Sequence, residues 1–132
     1  MAATMLHRGP DDEGISNNEH NDFVFGHRRL ALIDLSEAGH QPMYYQNLSI
    51  VFNGEIYNFQ EIKIELKTLG YNFDTDSDTE VIIKSYDAWG IKFVDRFKGM
   101  FAFAIWDKTK AQLILVRDRV GVKPLFYLFH DS

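Results

Sequence analysis

Asn53-Gly54-Glu55-Ile56-Tyr57-Asn58 follows directly on an apolar run, Leu48 to Phe52. The run is typical of a buried strand, and Asn-Gly is a common turn pair, so we expect the strand to end in a turn at Gly54. An Asn carboxamide beside a glycine N–H could instead donate two hydrogen bonds to an oxyanion. The sequence alone leaves open whether this pair is a plain turn or an anion-stabilising site.

Two further positions could bind the charged groups of a ligand. Arg29 lies in an apolar stretch, 23–35, that predicts strand, and its guanidinium could bind a carboxylate through two parallel hydrogen bonds. Asp78 lies at the start of a predicted helix and could hold an ammonium group. Each has an ordinary alternative, because a strand arginine often forms a surface ion pair and the helix dipole favours Asp in a first turn. With Asn53 and Gly54, they could hold a free amino acid by both charges and polarise its side-chain carbonyl.

The remaining chain predicts a mixed fold. Two helices are indicated by apolar spacing, and the pairs Asn58/Glu61 and Ser77/Glu80 have the spacing of capping boxes. Loops are expected at 5–22 and 36–42, strands at 23–35, 48–53, 100–106, 113–116 and 125–129, and helices at 59–69 and 78–89. The segment 23–35 could also be two strands with a break near Gly26. The segment Arg117-Asp118-Arg119 is expected to form a turn with local ion pairs. This order predicts an α+β fold in which helices cover an antiparallel sheet.

Composition narrows the classes of function. The 132 residues fit one domain, and a content of 45% hydrophobic and 14% aromatic residues is enough for a packed core. A net charge of −5 without a basic run argues against a nucleic-acid partner, and no apolar stretch is long enough to span a membrane. With no cysteine, no signal peptide and scattered histidines, we expect a cytoplasmic protein without a disulfide or metal site. No glycine loop for phosphate is present, so we expect no ATP site.

Seven motifs in order carry a resemblance to a known family. They are HRGPDDEG (7–14), HRRLALIDLS (27–36), GHQPM (39–43), NGEIYN (53–58), SDTEVI (77–82), GMFAFAIWD (99–107) and RDRVGVKPLFY (117–127). Together they resemble the asparagine synthetase family, in its N-terminal class II glutamine amidotransferase domain. The resemblance runs through almost the whole chain.

The resemblance implies a fold and a chemistry. The fold is an Ntn-hydrolase-like four-layer αββα sandwich with antiparallel sheets. The family's nucleophile is an N-terminal cysteine, which forms a thioester with glutamine and releases ammonia to a C-terminal synthetase domain that uses ATP and magnesium to activate aspartate. The implied partners are therefore L-glutamine and that synthetase domain.

The resemblance also implies roles for individual residues of the site. Arg29 corresponds to the residue that binds the glutamine carboxylate, within a stretch whose Leu30, Leu32 and Ile33 line the pocket. Asn53 and Gly54 correspond to the oxyanion donors. Glu55 and Asp78 correspond to the partners of the substrate ammonium.

The chain departs from the family at both ends. The family begins with Cys-Gly-Ile well upstream of the first motif, whereas only Met1 to Leu6 precede that motif here, and the chain has no cysteine. We therefore expect residues 1–132 to be a single incomplete domain that lacks the first strand, the nucleophile and the synthetase domain. We also expect no glutamine hydrolysis by this chain alone, and either marginal stability or self-association into a homo-oligomer.

Two alternatives stay open. The chain could be a non-catalytic structural domain, as in β-lactam synthetase relatives, which keep the fold without the nucleophile. It could also belong to a different class II amidotransferase. Because Arg29, Asn53 and Asp78 are present here, the sequence favours the glutamine-binding interpretation.

Overall fold

The computed structural model describes residues 2–17, 23–29 and 40–128, and gives only the backbone of Arg29. The described strands are β1 (Asp12–Asn17), β2 (Val24–Arg29), β3 (Met43–Tyr45), β4 (Leu48–Ile56), β5 (Gly99–Asp107) and β6 (Gln112–Arg117). The described helices are α1 (Phe59–Thr68), α2 (Asp78–Trp89) and two 3-10 helices, Ala2–Arg8 and Gly90–Arg96. The α+β class with antiparallel sheets is confirmed.

The larger sheet has the antiparallel order β3-β4-β5-β6. Its centre is the pairing of β4 with β5, where Ile50 lies opposite Ile105 and Phe52 opposite Phe103. These four side chains are buried on one face and form the hydrophobic core with the helices. The predicted strands at 48–53, 100–106 and 113–116 are therefore confirmed, and each extends beyond the predicted residues.

Both predicted α-helices are confirmed. In α1, Ile62 and Leu66 are buried as the spacing indicated, but Leu69 lies after the helix and is 55% exposed. In α2, the buried side includes Val81 and Tyr86, and Gly90 follows the last helical residue. Apolar residues at helical spacing thus set the faces that these helices present to the sheet.

The capping predictions are only partly correct. Ser77 caps α2, since its Oγ accepts a hydrogen bond from the Thr79 N–H. Asn58 makes no side-chain cap to α1. Its Nδ2 donates to the Arg96 carbonyl at 3.0 Å and its Oδ1 accepts from the Lys98 N–H at 2.9 Å. A contact distant in sequence therefore replaces the local cap and ties the end of β4 to the start of β5.

The structure contradicts the predicted loop at 5–22 over residues 5–8 and 12–17, while residues 18–22 lie outside the described part of the chain. Asp12–Asn17 forms β1, which pairs antiparallel with β2 in a separate two-stranded sheet. An ion pair between Arg28 Nη1 and Glu13 Oε2 (3.1 Å) crosses this pairing. A Cβ at Gly14 would lie 1.8 Å from the Gln41 carbonyl oxygen, so only glycine fits there. Pairing with β2, and not apolar alternation, makes this segment a strand.

The segment after β6 forms a turn fixed by Asp118. The buried Asp118 carboxylate accepts hydrogen bonds from the N–H groups of Phe101 (3.2 Å), Val122 (2.9 Å) and Lys123 (2.9 Å). These backbone donors lower the pKa of Asp118 to about 2. The predicted turn is thus confirmed, but its predicted local ion pairs are wrong, because Arg117 donates to the Gly121 and Lys123 carbonyls and Asp118 accepts from backbone N–H groups. Residues 125–128 of the predicted last strand form no strand.

No helix in the described part of the chain is both long enough and apolar enough to cross a membrane. The α-helices α1 and α2 have 10 and 12 residues and lie over the larger sheet.

Candidate functional site

The strand β4 does not end at Gly54. Its pairing with β5 runs without a break from Leu48 to Ile56, with Gly54 opposite Phe101. The predicted turn is therefore wrong, because β5 continues as a partner beyond Asn53. Gly54 has a φ of +148°, and a Cβ there would lie 2.1 Å from the Met100 carbonyl oxygen. Glycine is required here to allow β4 and β5 to approach each other in this backbone conformation.

The edge of β4 that faces away from β5 is held by side chains. The Phe52 N–H donates to Gln41 Oε1 at 2.6 Å, and the Ile56 N–H donates to Asp78 Oδ2 at 3.0 Å. Because the backbone groups of a strand alternate in direction, the Gly54 N–H between them points to the same edge. The backbone donor of the predicted oxyanion pair is thus directed toward Gln41 and Asp78.

Asp78 lies at the first turn of α2, which brings it to the end of β4. Burial raises the pKa of Asp78 above its ordinary value, and the nearby charge of Glu55 raises it further, while hydrogen bonds from the Ile56 and Thr79 N–H groups oppose the shift. Two carboxylates therefore lie close to each other on this edge. A cation placed between them would relieve their repulsion.

Asn53 and Glu55 belong to the face of the sheet opposite the helices. Side chains alternate along β4, so residues with the parity of Phe52 point to the helices and their neighbours point away. The Asn53 side chain is exposed and Glu55 is half-buried. The polar groups of the NGEIYN motif thus lie on an accessible surface beside the Gly54 N–H.

β2 brings the fourth predicted segment to the same strand. His27 Nε2 lies 3.2 Å from the Phe52 carbonyl oxygen, so β2 touches β4 next to Asn53. Arg29 is two residues further along β2, with its backbone opposite Asp12. Leu30, Leu32 and Ile33 lie outside the described residues. The structure therefore brings Gly54, Glu55 and Asp78 together at the end of β4 that also carries Asn53. Arg29 lies on β2, which contacts β4 at Phe52.

A buried ionic network supports the loop that leads into Asp78. Glu80 accepts hydrogen bonds from the Asp74 N–H (3.0 Å), from the Thr75 N–H (2.8 Å) and from Lys84 Nζ, and both Glu80 and Lys84 are buried. Burial alone would raise the pKa of Glu80, but these hydrogen bonds lower it below the ordinary value. Sequence analysis treated Glu80 as a capping residue and missed this role, since its partners lie outside the helix.

Gln41 is the second residue that sequence analysis missed. Its side chain is buried, accepts from the Phe52 N–H and donates from Nε2 to Thr79 Oγ1 at 3.4 Å. It therefore connects β4 with the first turn of α2. The GHQPM motif identified this position only through resemblance, because a glutamine in a predicted loop gives no indication of its partners.

The described residues offer partners for two kinds of group. The carboxylates of Glu55 and Asp78 suit a cation, and the Asn53 amide and the Gly54 N–H suit a carbonyl oxygen. Among residues 2–17, 23–29 and 40–128, no three His, Asp or Glu side chains gather as a metal site.

Comparisons with known proteins give a consistent result. A model of the glutamine amidotransferase domain matches residues 1–132. The chain is 49% identical over 129 residues to asparagine synthetase [glutamine-hydrolyzing] 2 of Bacillus subtilis, covering 96% of this chain and 17% of that protein. It is 44% identical over 136 residues to asparagine synthetase [glutamine-hydrolyzing] 3 of the same organism, covering 100% and 22%. The chain thus spans about a fifth of the length of these curated relatives.

A solved structure is also similar. The glutamine phosphoribosylpyrophosphate amidotransferase from B. subtilis, complexed with ADP and GMP, matches with a TM-score of 0.65 at 29% identity. The match covers 76% of this chain and 24% of that one. This likeness confirms the predicted Ntn-hydrolase-like αββα fold.

Proposed function

Because the chain belongs to the glutamine amidotransferase domain family, we propose that it is the glutamine-binding part of a glutamine-hydrolysing asparagine synthetase. The parent reaction is the ATP-dependent amidation of aspartate with ammonia from glutamine. The resemblance to asparagine synthetases is confirmed by identities of 44% and 49%, which supports this parent over other amidotransferases.

One geometric observation carries the proposal. Gly54 and Ile56 are two residues apart on the same edge of β4, so the Gly54 N–H and the Asp78 carboxylate bound to Ile56 are separated by roughly 7 Å of extended chain. An extended glutamine places its α-nitrogen roughly 6 Å from its side-chain oxygen, given ordinary bond lengths. One edge of β4 can therefore contact both ends of the substrate.

Each site residue then has a role in holding glutamine. Asp78 and Glu55 bind the α-ammonium, which relieves the repulsion between the two carboxylates. Arg29 binds the α-carboxylate, and the aliphatic part of the substrate packs on Leu30, Leu32 and Ile33. Asn53 and Gly54 donate to the side-chain carbonyl oxygen, where negative charge develops during attack on the amide.

The resemblance implies a cysteine nucleophile for the chemical step, and these 132 residues contain no cysteine. We propose that the chain on its own binds L-glutamine without hydrolysing it. ATP and magnesium act in the synthetase domain, which is the proposed C-terminal partner. The proposed location is the cytoplasm, where ATP and free amino acids are available together.

The test combines binding with turnover. Calorimetry should show that L-glutamine binds and that D-glutamine binds at least about tenfold more weakly, because inversion at the α-carbon separates the ammonium from its carboxylates. Glutamate release should stay at the level of buffer alone. Equal affinity for the two enantiomers, or glutamate release by the purified chain, would contradict the proposal. Absence of any binding would favour a purely structural domain.

A further inference from the structure

We propose that Gln41 is a positioning residue for the oxyanion donors. It holds the edge of β4 in place of a neighbouring strand, and in doing so it directs the Gly54 N–H toward the ligand. This inference rests on the proposed function, because it deepens the account of the same glutamine site. It adds a residue that touches neither substrate nor reacting atoms and acts through the backbone of β4.

In the described part of the chain, the larger sheet leaves part of the β4 edge without a neighbouring strand. β3 pairs with β4 only at Leu48, Ser49 and Ile50, so beyond Ile50 the edge of β4 has no strand partner among the described residues. An unpaired edge leaves backbone N–H and C=O groups that need other partners when they are buried. The edge from Phe52 to Ile56 is therefore where side chains must replace a strand.

Gln41 and His27 act as this replacement at Phe52. The Gln41 Oε1 accepts from the Phe52 N–H at 2.6 Å, and His27 Nε2 lies 3.2 Å from the Phe52 carbonyl oxygen. Both backbone groups of Phe52 are thus held by side chains. The next peptide group joins Phe52 to Asn53. These two contacts therefore fix the orientation of the backbone that leads into Asn53 and Gly54.

Gln41 also couples the two halves of the site. Its Nε2 donates to Thr79 Oγ1 at 3.4 Å, one residue after Asp78. The same carboxamide therefore touches the strand that carries the carbonyl donors and the helix that carries the ammonium partner. The backbone of Gln41 is itself packed closely against β1, because its carbonyl group lies directly beside Gly14.

A replacement of Gln41 should act on one end of the ligand more than on the other. The bond to Phe52 is short and the bond to Thr79 is long, so loss of the carboxamide disturbs Asn53 and Gly54 more than Asp78. A buried N–H without a partner is also free to seek another acceptor, which would rotate the adjoining peptide. Ligands that use the carbonyl donors should therefore be affected selectively.

The experiment compares Gln41→Met with wild type and with Gln60→Met, which makes the same change at an exposed position on α1. Two ligands are titrated by calorimetry: L-glutamine, and L-norvaline, which keeps the amino-acid head and lacks the carboxamide. In Gln41→Met, L-glutamine should bind roughly tenfold more weakly, as expected for one misplaced hydrogen-bond donor, while L-norvaline affinity changes less than about twofold. Gln60→Met should match wild type with both ligands.

Equal weakening of both ligands would show a merely structural role and overturn the inference, and so would unchanged L-glutamine binding. If Gln41→Met does not fold, Gln41→Asn replaces it, since it keeps a polar amide but is too short to reach Phe52. If wild type binds no L-glutamine, the proposed function fails separately. Hydrogen exchange at the Gly54 amide then decides the inference: faster exchange than in Gln60→Met supports it, and an equal rate overturns it.

Discussion

The two faces of the four-stranded sheet are made by the same strands and differ in how far they are covered. On the helix-covered face, Ile50, Phe52 and Phe103 are buried in one hydrophobic core. The opposite, more open face is covered only in part: Phe23 packs on Trp106 at a ring-centroid distance of 4.6 Å, whereas Leu113 is 49% exposed and Leu115 is 44% exposed. Asn53 and Glu55, which alternate with Phe52 along β4, belong to this open face. The alternation of a single strand therefore separates residues that stabilise the fold from residues proposed to bind a ligand.

The comparison indicates where substitutions should cost stability and where they should cost binding. Packing on the core side of β4 and β5 holds the backbone of these strands in place. The proposed binding groups, on the open side and at the edge near Asp78, are positioned by that backbone. Substitutions on the covered face should unfold the chain before they affect the ligand. Substitutions at the edge should weaken binding while the chain stays folded.

Phe103→Ala should have the largest effect. Phe103 is buried and contacts the rings of Phe93, Phe97 and Phe101 at centroid distances of 5.7, 6.5 and 5.7 Å. Its truncation leaves a cavity and should lower the free energy of unfolding by about 3–5 kcal/mol. Urea denaturation followed by circular dichroism measures this. Phe126→Ala, the same change at a side chain that is 91% exposed, should have almost no effect, and a comparable loss in both variants would invalidate the distinction between covered and open positions.

Lys84→Met should have the next largest effect. The substitution removes the cation that pairs with the buried Glu80 and lies over the ring of Phe73 at 4.7 Å. Because the remaining carboxylate keeps its backbone donors, we expect a loss of about 3 kcal/mol, at the lower end for a broken buried pair. Chemical denaturation at pH 7 measures the loss, with the exposed Lys92→Met as the matched control. If Lys84→Met loses less free energy of unfolding than Lys92→Met, the Glu80–Lys84 pair does not stabilise the fold.

The same pair should make stability depend on pH. The pKa of Glu80 is lower in the folded protein than in the unfolded chain. Ionised Glu80 therefore stabilises the fold fully above its pKa in the unfolded chain, and this stabilisation is lost as the pH falls through its pKa in the folded protein. The difference between wild type and Lys84→Met should therefore shrink in acid.

Asp78→Asn should separate binding from stability. The Asn oxygen can still accept from the Ile56 N–H, so the end of β4 stays held, but the charge that would bind an ammonium is lost. L-Glutamine affinity should fall by at least roughly tenfold, as for a lost charge-assisted hydrogen bond. Calorimetric titration checks this, with Asp95→Asn at an exposed position as the control. Undiminished binding in Asp78→Asn would exclude Asp78 as the ammonium partner.

The stability of this variant should change in the opposite direction. Burial and Glu55 raise the folded-state pKa of Asp78, so ionisation opposes folding as the pH rises through that value. Asp78→Asn should therefore be more stable than wild type at pH 7, and the difference should vanish well below pH 4. Urea midpoints at both pH values measure it, and a variant less stable at pH 7 would contradict the burial argument.

Leu115→Lys should have the smallest effect on folding. Leu115 lies on β6, which pairs only with β5 among the described strands, and its side chain is partly exposed. The free energy of unfolding should change by less than about 1 kcal/mol, as is usual at exposed positions. If the open face and this sheet edge cause self-association, a lysine there should reduce it, as sedimentation velocity would show. Wild type that sediments as a monomer at high concentration and also unfolds in one sharp thermal transition would contradict the expected marginal stability or self-association.

The sequence predicted the elements whose residues repeat with a clear period. β4, β5, α1 and α2 were found because apolar residues recur at strand or helix spacing and because those residues form the core. β1 was missed because Asp12–Asn17 has no apolar alternation and becomes a strand only through its partner β2. A pattern that depends on a distant segment gives no local indication.

The site was predicted through resemblance more than through pattern. Local chemistry suggested a turn at Gly54 and a cap at Asn58, and both were wrong because β5 and the segment before it provide distant partners. Resemblance identified Asn53, Gly54, Glu55 and Asp78 as a group, and the structure places them at the same end of β4, on its edge and on the adjoining face. Gln41 was missed, because its role depends on the Phe52 N–H, a backbone group that no side-chain motif describes.

The central claim is that the edge of β4 beside α2 binds glutamine while the rest of the sheet serves as its support. Titration of ¹⁵N-labelled chain with L-glutamine tests it most directly. The amide resonances of Asn53, Gly54, Glu55 and Thr79 should shift with one common affinity, while those of Leu113 to Arg117 on β6 stay unchanged. Shifts confined to β6, or no shift at Gly54 at saturating L-glutamine, would contradict the account.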